Sequence, residues 1–121
     1  MELEAMKKAV VAALEDIKAK EIAVMDVKHL TSMTDCMIIA SGDSNRQTRA
    51  LASNVLVKLK EQGAEVIGVE GLESGEWVLV DFGQVVVHIM QPTTREYYNL
   101  EQLWGGVEKA RRHHQQAAPA A

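Results

Sequence analysis

The sequence predicts an α/β fold, with a mixed five-stranded sheet, two long helices and short C-terminal helices. Two segments have the apolar spacing of amphipathic helices, and five short apolar runs have the length and composition of strands. A single domain is expected, because 121 residues suffice for one core and 47% of them are hydrophobic. Only five residues are aromatic and all follow residue 76, so the core must be largely aliphatic.

Both long helices are predicted from apolar residues spaced three or four apart. The apolar positions of the first are Leu3, Met6, Val10, Leu14 and Ile17. The second follows a Ser-Gly-Asp-Ser turn, in which Asp43 or Ser44 can serve as the N-cap. Its apolar positions are Leu51, Val55 and Leu59, and Gly63 should end it as the residue after the C-cap.

Strands are expected at residues 22–27, 36–40, 66–70, 77–81 and 84–90. The second long helix connects the strands at 36–40 and 66–70, and this order predicts a right-handed crossover between a parallel strand pair. Pro92 should end the last strand, with short helical turns at 93–98 and 100–104. Residues 1–106 are predicted to form the domain, and residues 107–121 a flexible C-terminal tail.

The last two strands are expected to form a hairpin, with Phe82-Gly83 as its two-residue turn. This turn pairs Val80 with Val85 and Trp77 with His88. Because side chains alternate between the faces of a sheet, one face is entirely aliphatic, with Val78, Val80, Val85, Val87 and Ile89. The opposite face, called the mixed face below, carries Trp77, Leu79, Asp81, Val86, His88 and Met90.

The mixed face is a candidate docking surface. Two long helices can cover one face of a five-stranded sheet, and the aliphatic face is the one they should cover. The mixed face is too apolar for an idle solvent-facing surface, and it resembles an interface core ringed by Glu70, Glu76 and Asp81. The alternative is that residues 92–104 fold over this face and bury it.

The charge distribution favours a basic protein partner. Residues 1–64 contain nine basic and nine acidic groups, whereas residues 65–108 contain eight acids and a single base, Arg95. All five aromatic residues lie in this acidic stretch. An acidic surface with aromatic anchors suits a basic protein and repels a bare phosphate backbone, so no specific nucleic-acid sequence is expected as a partner. Ordinary solubility charge is the alternative interpretation.

Cys36 is the only cysteine, which excludes an internal disulfide and a cysteine-based zinc cage. It lies in an apolar strand and is expected to be a core residue. The N-terminus lacks a signal-peptide pattern, and no apolar run approaches the roughly 20 residues of a membrane helix. A cytoplasmic protein without membrane contact, metal or cofactor is therefore expected.

Two places in the sequence carry residue types that enzymes use. His88 has no serine or cysteine obviously directed at it, so a structural or interfacial imidazole is the better interpretation. The turn from Ser41 to Ser44 precedes a helix and could hold phosphate, as in nucleotidyltransferases. No D-x-D pair of metal-binding acids follows it and no Walker lysine is present, which favours a capped turn over a catalytic site. A nucleotidyltransferase-like enzyme using this turn is kept as the alternative function.

Several fragments together resemble the ribosomal silencing factor RsfS family, also called Iojap or YbeB. The resemblance covers residues 5–104, and its fragments in chain order are DCMIIASG at 35–42, SNRQ at 44–47, EG at 70–71, WVLVD at 77–81, VHI at 87–89 and REYYNLEQLW at 95–104. Each fragment alone is a weak signal, whereas their order and spacing together are quite specific.

The resemblance implies a nucleotidyltransferase-like sheet without catalytic acids, and a protein that is not an enzyme. It implies binding to the large ribosomal subunit through ribosomal protein L-fourteen, where the small subunit docks. Joining of the small subunit would then be blocked and translation repressed when nutrients are limiting. A homodimer is also implied. Motif matches point to Trp77, His88, Tyr98, Leu100 and Glu101 as partner-binding residues, and the mixed face with its rim adds Glu70, Leu79, Asp81 and Met90.

Overall fold

The computed structural model describes residues 1–102, which form an α/β domain of five strands and three helices. In chain order the elements are α1 (Leu3–Asp16), β1 (Lys20–Asp26), β2 (Cys36–Ser41), α2 (Asn45–Glu61), β3 (Gly68–Glu70), β4 (Trp77–Asp81), β5 (Val85–Met90) and α3 (Pro92–Tyr98). The predicted fold class is confirmed. The predicted helical turn at 100–104 begins at Leu100, but its end and the predicted tail at 107–121 lie outside the described residues.

The ends of α2 follow from local chemistry. Ser44 is the N-cap, and its hydroxyl accepts a hydrogen bond of 3.1 Å from the Gln47 amide. At the other end Gly63 has a φ of +94°, and the amides of Gly63 and Ala64 donate to the carbonyls of Lys60 and Leu59. This pattern is a Schellman motif, so the prediction of Gly63 as the helix stop is confirmed.

The sheet has the strand order β1-β2-β5-β4-β3, and its parallel pair is β2 with β5. The prediction that the strands joined by α2 are neighbours is wrong, because β5 and β4 lie between β2 and β3. β2 and β3 nevertheless run in the same direction. β2 is parallel to β5, and the direction reverses from β5 to β4 and again from β4 to β3. Central placement suits β5, which is buried over most of its length, whereas the three-residue β3 suits an edge.

The turn between β4 and β5 lies one residue later than predicted. The Phe82 amide donates to the Val85 carbonyl at 2.9 Å, which leaves Gly83 and Gln84 as the two turn residues. Gly83 supplies the positive φ, +89°, that such turns need at a central position, and Phe82 is buried instead. The register therefore shifts by two residues. Trp77 faces Met90 and Leu79 faces His88, not the partners predicted.

A shift of two residues leaves every side chain on its predicted face, because side chains alternate with a period of two. The aliphatic face of the hairpin packs with α1 and α2 in the main core, whose fully buried members include Val10, Leu14, Ile38, Leu51, Val55, Leu59, Val78, Val80, Val85, Val87 and Ile89. Cys36 is 2% exposed and belongs to this core, as expected. Within the described residues, no helix is long and apolar enough to cross a membrane.

Candidate functional site

The mixed face of the sheet is built from three rows of side chains that cross the strands. One row contains Glu70, Leu79, His88 and Ile39, and the next contains Trp77, Met90 and Ser41. The third contains Asp81, Val86 and Met37. Strand pairing thus brings six of the predicted site residues onto one surface. Neither long helix covers this face.

A second apolar cluster forms the floor of this face. Val27, Met37, Ile39 and Met90 are buried there, with Met25, Trp77 and Leu100 packed against them. Leu100 follows α3, so the segment after Pro92 folds over part of the mixed face, as the alternative prediction had it. Within the described residues this segment covers the mixed face only in part, because Trp77 and Leu79 are half-buried.

Trp77 and His88 form the polar contact at the centre of the face. The Trp77 indole Nε1–H donates to His88 Nδ1 at 2.9 Å, across neighbouring strands. His88 is 7% exposed, and burial lowers the pKa of its imidazole to about 4. The ring is therefore neutral near pH 7, with Nδ1 as an acceptor and the proton on Nε2. His88 acts as a structural imidazole that orients the Trp77 ring.

Aromatic rings continue from Trp77 onto the end of α3. The Tyr98 ring lies 4.8 Å from the Trp77 ring, centroid to centroid, and Tyr97 lies 5.0 Å from Tyr98 in an edge-on arrangement. Tyr98 is 52% exposed and Tyr97 is 80% exposed. Half-buried Trp77 and these two tyrosines make a contiguous aromatic surface, called the aromatic patch below. Tyr97 was assigned no role from the sequence.

Arg95 anchors the segment that carries these tyrosines. Its guanidinium is bidentate on Glu101, with Nε and Nη2 at 2.9 and 3.0 Å from the two carboxylate oxygens. Nη1 donates to the Ser41 hydroxyl at 2.8 Å, at the end of β2. Arg95 is 8% exposed. No pattern in the sequence assigns Arg95 a function, although it is conspicuous as the single base among residues 65–108.

Met90 and Glu101, both predicted to bind a partner, have surroundings different from those expected. Met90 is 0% exposed, because Leu100 and Trp77 pack over the cluster that contains it. It supports the face from below and makes no surface of its own. Glu101 was expected to meet basic groups of a partner, but its carboxylate is held by Arg95. The other predicted residues are Glu70, which is exposed, and Leu79, Asp81 and Leu100, which are half-buried.

Residues 65–102, which carry the aromatic patch, form an acidic stretch of the chain. Arg95 is the single base of residues 65–102, and it is buried against Glu101. The remaining acids of this stretch are Glu65, Glu70, Glu73, Glu76, Asp81 and Glu96. One Asp81 carboxylate oxygen accepts from the Gly83 amide at 2.8 Å in the hairpin turn. The charges that this stretch presents to solvent are therefore carboxylates.

The turn before α2 uses its polar groups internally. Ser41 binds Arg95, and Ser44 caps the helix. The Asp43 amide donates to Gln47 Oε1 at 2.7 Å, while the Asp43 carboxylate pairs with Lys20. Thr48 is fully buried and its hydroxyl donates to the Gly75 carbonyl. Among residues 1–102, no three His, Cys, Asp or Glu residues are grouped so as to hold a metal ion.

These features define a mixed-sheet α/β domain with a partly open aromatic face on an acidic stretch of the chain. The model of the RsfS family, described as "Ribosomal silencing factor during starvation", matches residues 1–121. The chain is 58% identical over 106 residues to the ribosomal silencing factor RsfS of Chromobacterium violaceum, covering 88% of this chain and 87% of that protein. It is 45% identical over 91 residues to the Haemophilus influenzae RsfS, covering 75% and 89% of the two chains.

A solved structure and a more distant sequence relative agree with these matches. A crystal structure of a Chromobacterium violaceum protein has a TM-score of 0.85 at 57% identity and covers 87% of this chain and 88% of its own. A more distant relative is the mouse "Mitochondrial assembly of ribosomal large subunit protein 1", 39% identical over 98 residues. The match to that protein covers 78% of this chain and 42% of the mouse protein. The chain belongs to the ribosomal silencing factor RsfS family.

Proposed function

We propose that the protein binds the large ribosomal subunit through the mixed face and thereby blocks joining of the small subunit. The binding partner on the subunit is ribosomal protein L-fourteen, at the surface where the small subunit docks. The result is repression of translation in the cytoplasm when nutrients are limiting. The observation that carries the proposal is the aromatic patch, in which Tyr97 and Tyr98 are exposed and pack beside half-buried Trp77 on the sheet face that no long helix covers.

The aromatic patch has the composition of an interface core. Tryptophan and tyrosine are the residues most often found to dominate binding energy, because they bury a large area at low cost in side-chain entropy. Tyr98 is half exposed, yet one side of its ring is already packed on Trp77. Such a ring loses little freedom on binding, so most of its contact with the partner can contribute to affinity.

The charges support a protein partner in preference to naked RNA. Glu70 lies beside Leu79 at one end of the mixed face, and Asp81 lies on it. Carboxylates at the rim attract a basic protein surface and repel a phosphate backbone. A basic ribosomal protein meets this requirement. The name of the mouse relative, which refers to the large ribosomal subunit, agrees with a partner there.

The proposed mechanism is occupancy of a surface and contains no covalent step. His88 is neutral and accepts a hydrogen bond from Trp77. In the turn before α2, Ser41 is hydrogen-bonded to Arg95 and Ser44 caps the helix. These groups therefore position the face. A homodimer is proposed only in competition with subunit binding, because the same aromatic patch would serve both.

The test is co-sedimentation of the purified protein with isolated large subunits, followed by a subunit-joining assay on sucrose gradients. Tyr98→Ala and Trp77→Ala should each weaken binding about thirtyfold or more, the usual loss for a central aromatic anchor of about 2 kcal/mol. Both variants should also relieve the block to joining. Val57→Ala is the matched control, because Val57 is 52% exposed on α2, on the opposite side of the sheet.

Circular dichroism must first establish that each variant is folded. Unchanged affinity in both folded aromatic variants would remove the mixed face as the binding site. Loss of affinity in Val57→Ala would place the contact on the helical side instead. Dilution followed by light scattering separates self-association from subunit binding in the same samples.

A further inference from the structure

We infer that the Arg95–Glu101 ion pair is a positioning device that holds the aromatic patch in its binding arrangement. Neither residue touches the partner in this view, and both act through Tyr98. The inference rests on the proposed function, since it explains how the proposed docking face is kept in shape. It also assigns a role to Arg95, for which the sequence patterns indicate none.

The segment after Pro92 needs such a device because it is too short to hold itself. α3 has seven residues, and an isolated helix of that length is not stable in water. The chain then reverses at Asn99, which has a left-handed backbone with a φ of 48° and whose amide donates to the Arg95 carbonyl at 2.8 Å. This reversal returns Glu101 to Arg95, six residues earlier in the chain.

Arg95 closes this folded-back segment on itself through Glu101 and bonds it to the sheet through Ser41. Arg95 uses one side of its guanidinium for Glu101 and Nη1 for the Ser41 hydroxyl. Ser41 is the residue beside Met90 on the mixed face, so the tie lies next to the floor of the aromatic patch. Between the two ends of the pair, the chain carries Tyr98, packed on Trp77, and Leu100, packed on the second cluster.

Burial makes the pair sensitive to loss of one partner. The side chains of Arg95 and Glu101 are 9% and 23% exposed. Removing one member of a buried pair leaves the other charge without its partner in a poorly hydrated place, whereas replacing both with apolar groups is often tolerated. Single variants should therefore release the segment, and the double apolar variant should retain it.

The first arm of the test reads the segment itself, without the ribosome. Amide hydrogen exchange is measured by NMR for Arg95 and Asn99, with the β5 amides as an internal reference. Glu101→Gln should accelerate exchange at Arg95 and Asn99 tenfold or more and leave β5 unchanged. Glu96→Gln is the matched control, because it removes the same charge from an exposed position on the same segment and should change neither.

The second arm measures affinity for isolated large subunits. Glu101→Gln should weaken binding about tenfold, Glu96→Gln should weaken it less than threefold, and Arg95→Met combined with Glu101→Leu should recover most of the loss. Arg95→Lys should behave like Glu101→Gln, because an ammonium cannot make the bidentate contact.

The outcomes separate the inference from the function on which it rests. Weaker binding by Glu101→Gln with unchanged exchange would mean that Glu101 contacts the partner directly, which overturns the positioning role. Faster exchange with unchanged affinity would overturn it as well. If Tyr98→Ala and Trp77→Ala both bind normally, the proposed docking face is wrong, and the affinity measurements then no longer report on the ion pair. The exchange arm still decides whether the pair holds the segment.

Discussion

The Trp77 indole Nε1–H donates a hydrogen bond of 2.9 Å to Nδ1 of His88, although the residue directly opposite Trp77 in the hairpin is Met90. This diagonal contact joins the row of the mixed face that contains Trp77 to the row that contains His88. It requires a neutral imidazole, because a protonated Nδ1 would be a donor facing another donor. The state of one buried histidine therefore controls the geometry of the proposed anchor.

Stability should depend on pH through His88. Burial lowers the pKa of His88 to about 4 in the folded protein, against 6.5 as the ordinary value. Between these pH values the unfolded chain binds more protons, so the free energy of unfolding falls as the pH is lowered from about 6.5 to about 4. At about 1.4 kcal/mol per pKa unit, His88 contributes on the order of 3 kcal/mol to this loss.

Urea unfolding of His88→Asn across the same pH range provides the comparison. The Asn carboxamide oxygen can accept from Trp77 but does not titrate, so the variant should lose less stability on acidification than the parent protein. Carboxylates contribute equally to both chains and cancel in the difference. Parallel curves for the two proteins between pH 4 and 6.5 would contradict the assignment.

Met90→Ala should lower the stability of the fold, because Met90 is buried and offers no surface to a partner. Met90 is 0% exposed in the second cluster, so its truncation should leave a cavity and lower the free energy of unfolding by about 2–5 kcal/mol. Met33→Ala is the matched control: Met33 is 84% exposed, and its truncation should change stability by less than about 0.5 kcal/mol. Equal stabilities in thermal unfolding would mean that Met90 is not part of a packed floor.

Gly71→Ala should disturb the backbone of Trp77. Gly71 has a φ of +83°, and a methyl group there would lie 2.0 Å from the Trp77 carbonyl oxygen. Gly63 has a φ of +94° with no atom within 4 Å, so Gly63→Ala measures the cost of the left-handed backbone alone, about 1–2 kcal/mol. Gly71→Ala should cost about 1–3 kcal/mol more, by overpacking.

Affinity distinguishes these two glycine variants further. Only Gly71→Ala should weaken binding to isolated large subunits, since only it displaces the strand that carries the proposed anchor. Chemical unfolding and co-sedimentation of both variants measure the two effects. Equal stability losses, or a binding defect in Gly63→Ala, would show that the close approach to Trp77 is not what matters.

Charge reversal at the rim should act on the rate of association. Glu70 is exposed and adjoins Leu79, so Glu70→Lys should slow binding to large subunits several-fold at low salt and leave dissociation nearly unchanged. High salt should remove most of the difference, because exposed charges are screened. Glu61→Lys makes the same change at the end of α2 and serves as the control. A similar slowing in both variants would indicate a net-charge effect without a local contact.

The enzyme alternative predicts saturable binding of a nucleotide with magnesium at the turn before α2. We expect none in calorimetric titrations with ATP and with CTP, because Ser44 and Gln47 occupy the helix N-terminus and Ser41 is bonded to Arg95. Ser44→Ala should lower helix stability by about 1 kcal/mol through loss of the cap. Saturable nucleotide binding that Ser44→Ala abolishes would revive the enzyme.

Much of the fold could be predicted from local patterns. The spacing of Leu51, Val55 and Leu59 and the caps at Ser44 and Gly63 define α2 almost to the residue. The two faces of the hairpin were also predicted correctly, although the turn was placed one residue early. An error of one turn residue shifts the register by two and preserves the faces, so the prediction of the mixed face survived a wrong pairing.

The sequence predicted the aromatic residues of the candidate site but not the Arg95–Glu101 ion pair beside them. Trp77 and Tyr98 lie together as expected. Trp77 is on the mixed face at the start of β4, and Tyr98 is at the end of α3, in the segment that folds toward that face. Glu101 was expected to face basic groups of a partner, on the strength of the motif match to the family. Its pairing with Arg95 depends on a chain reversal at Asn99 that no apolar period reveals.

What the sequence by itself determined is the set of elements, their apolar faces and the acidic, aromatic character of the C-terminal half. These follow from interactions between residues close in the chain, which leave a periodic or compositional trace. What only the tertiary structure decided is the position of β5 between β2 and β4, the burial of Met90 and the Arg95–Glu101 tie. Each depends on contacts between distant segments, chosen by the packing of the whole chain and by the desolvation of particular charges.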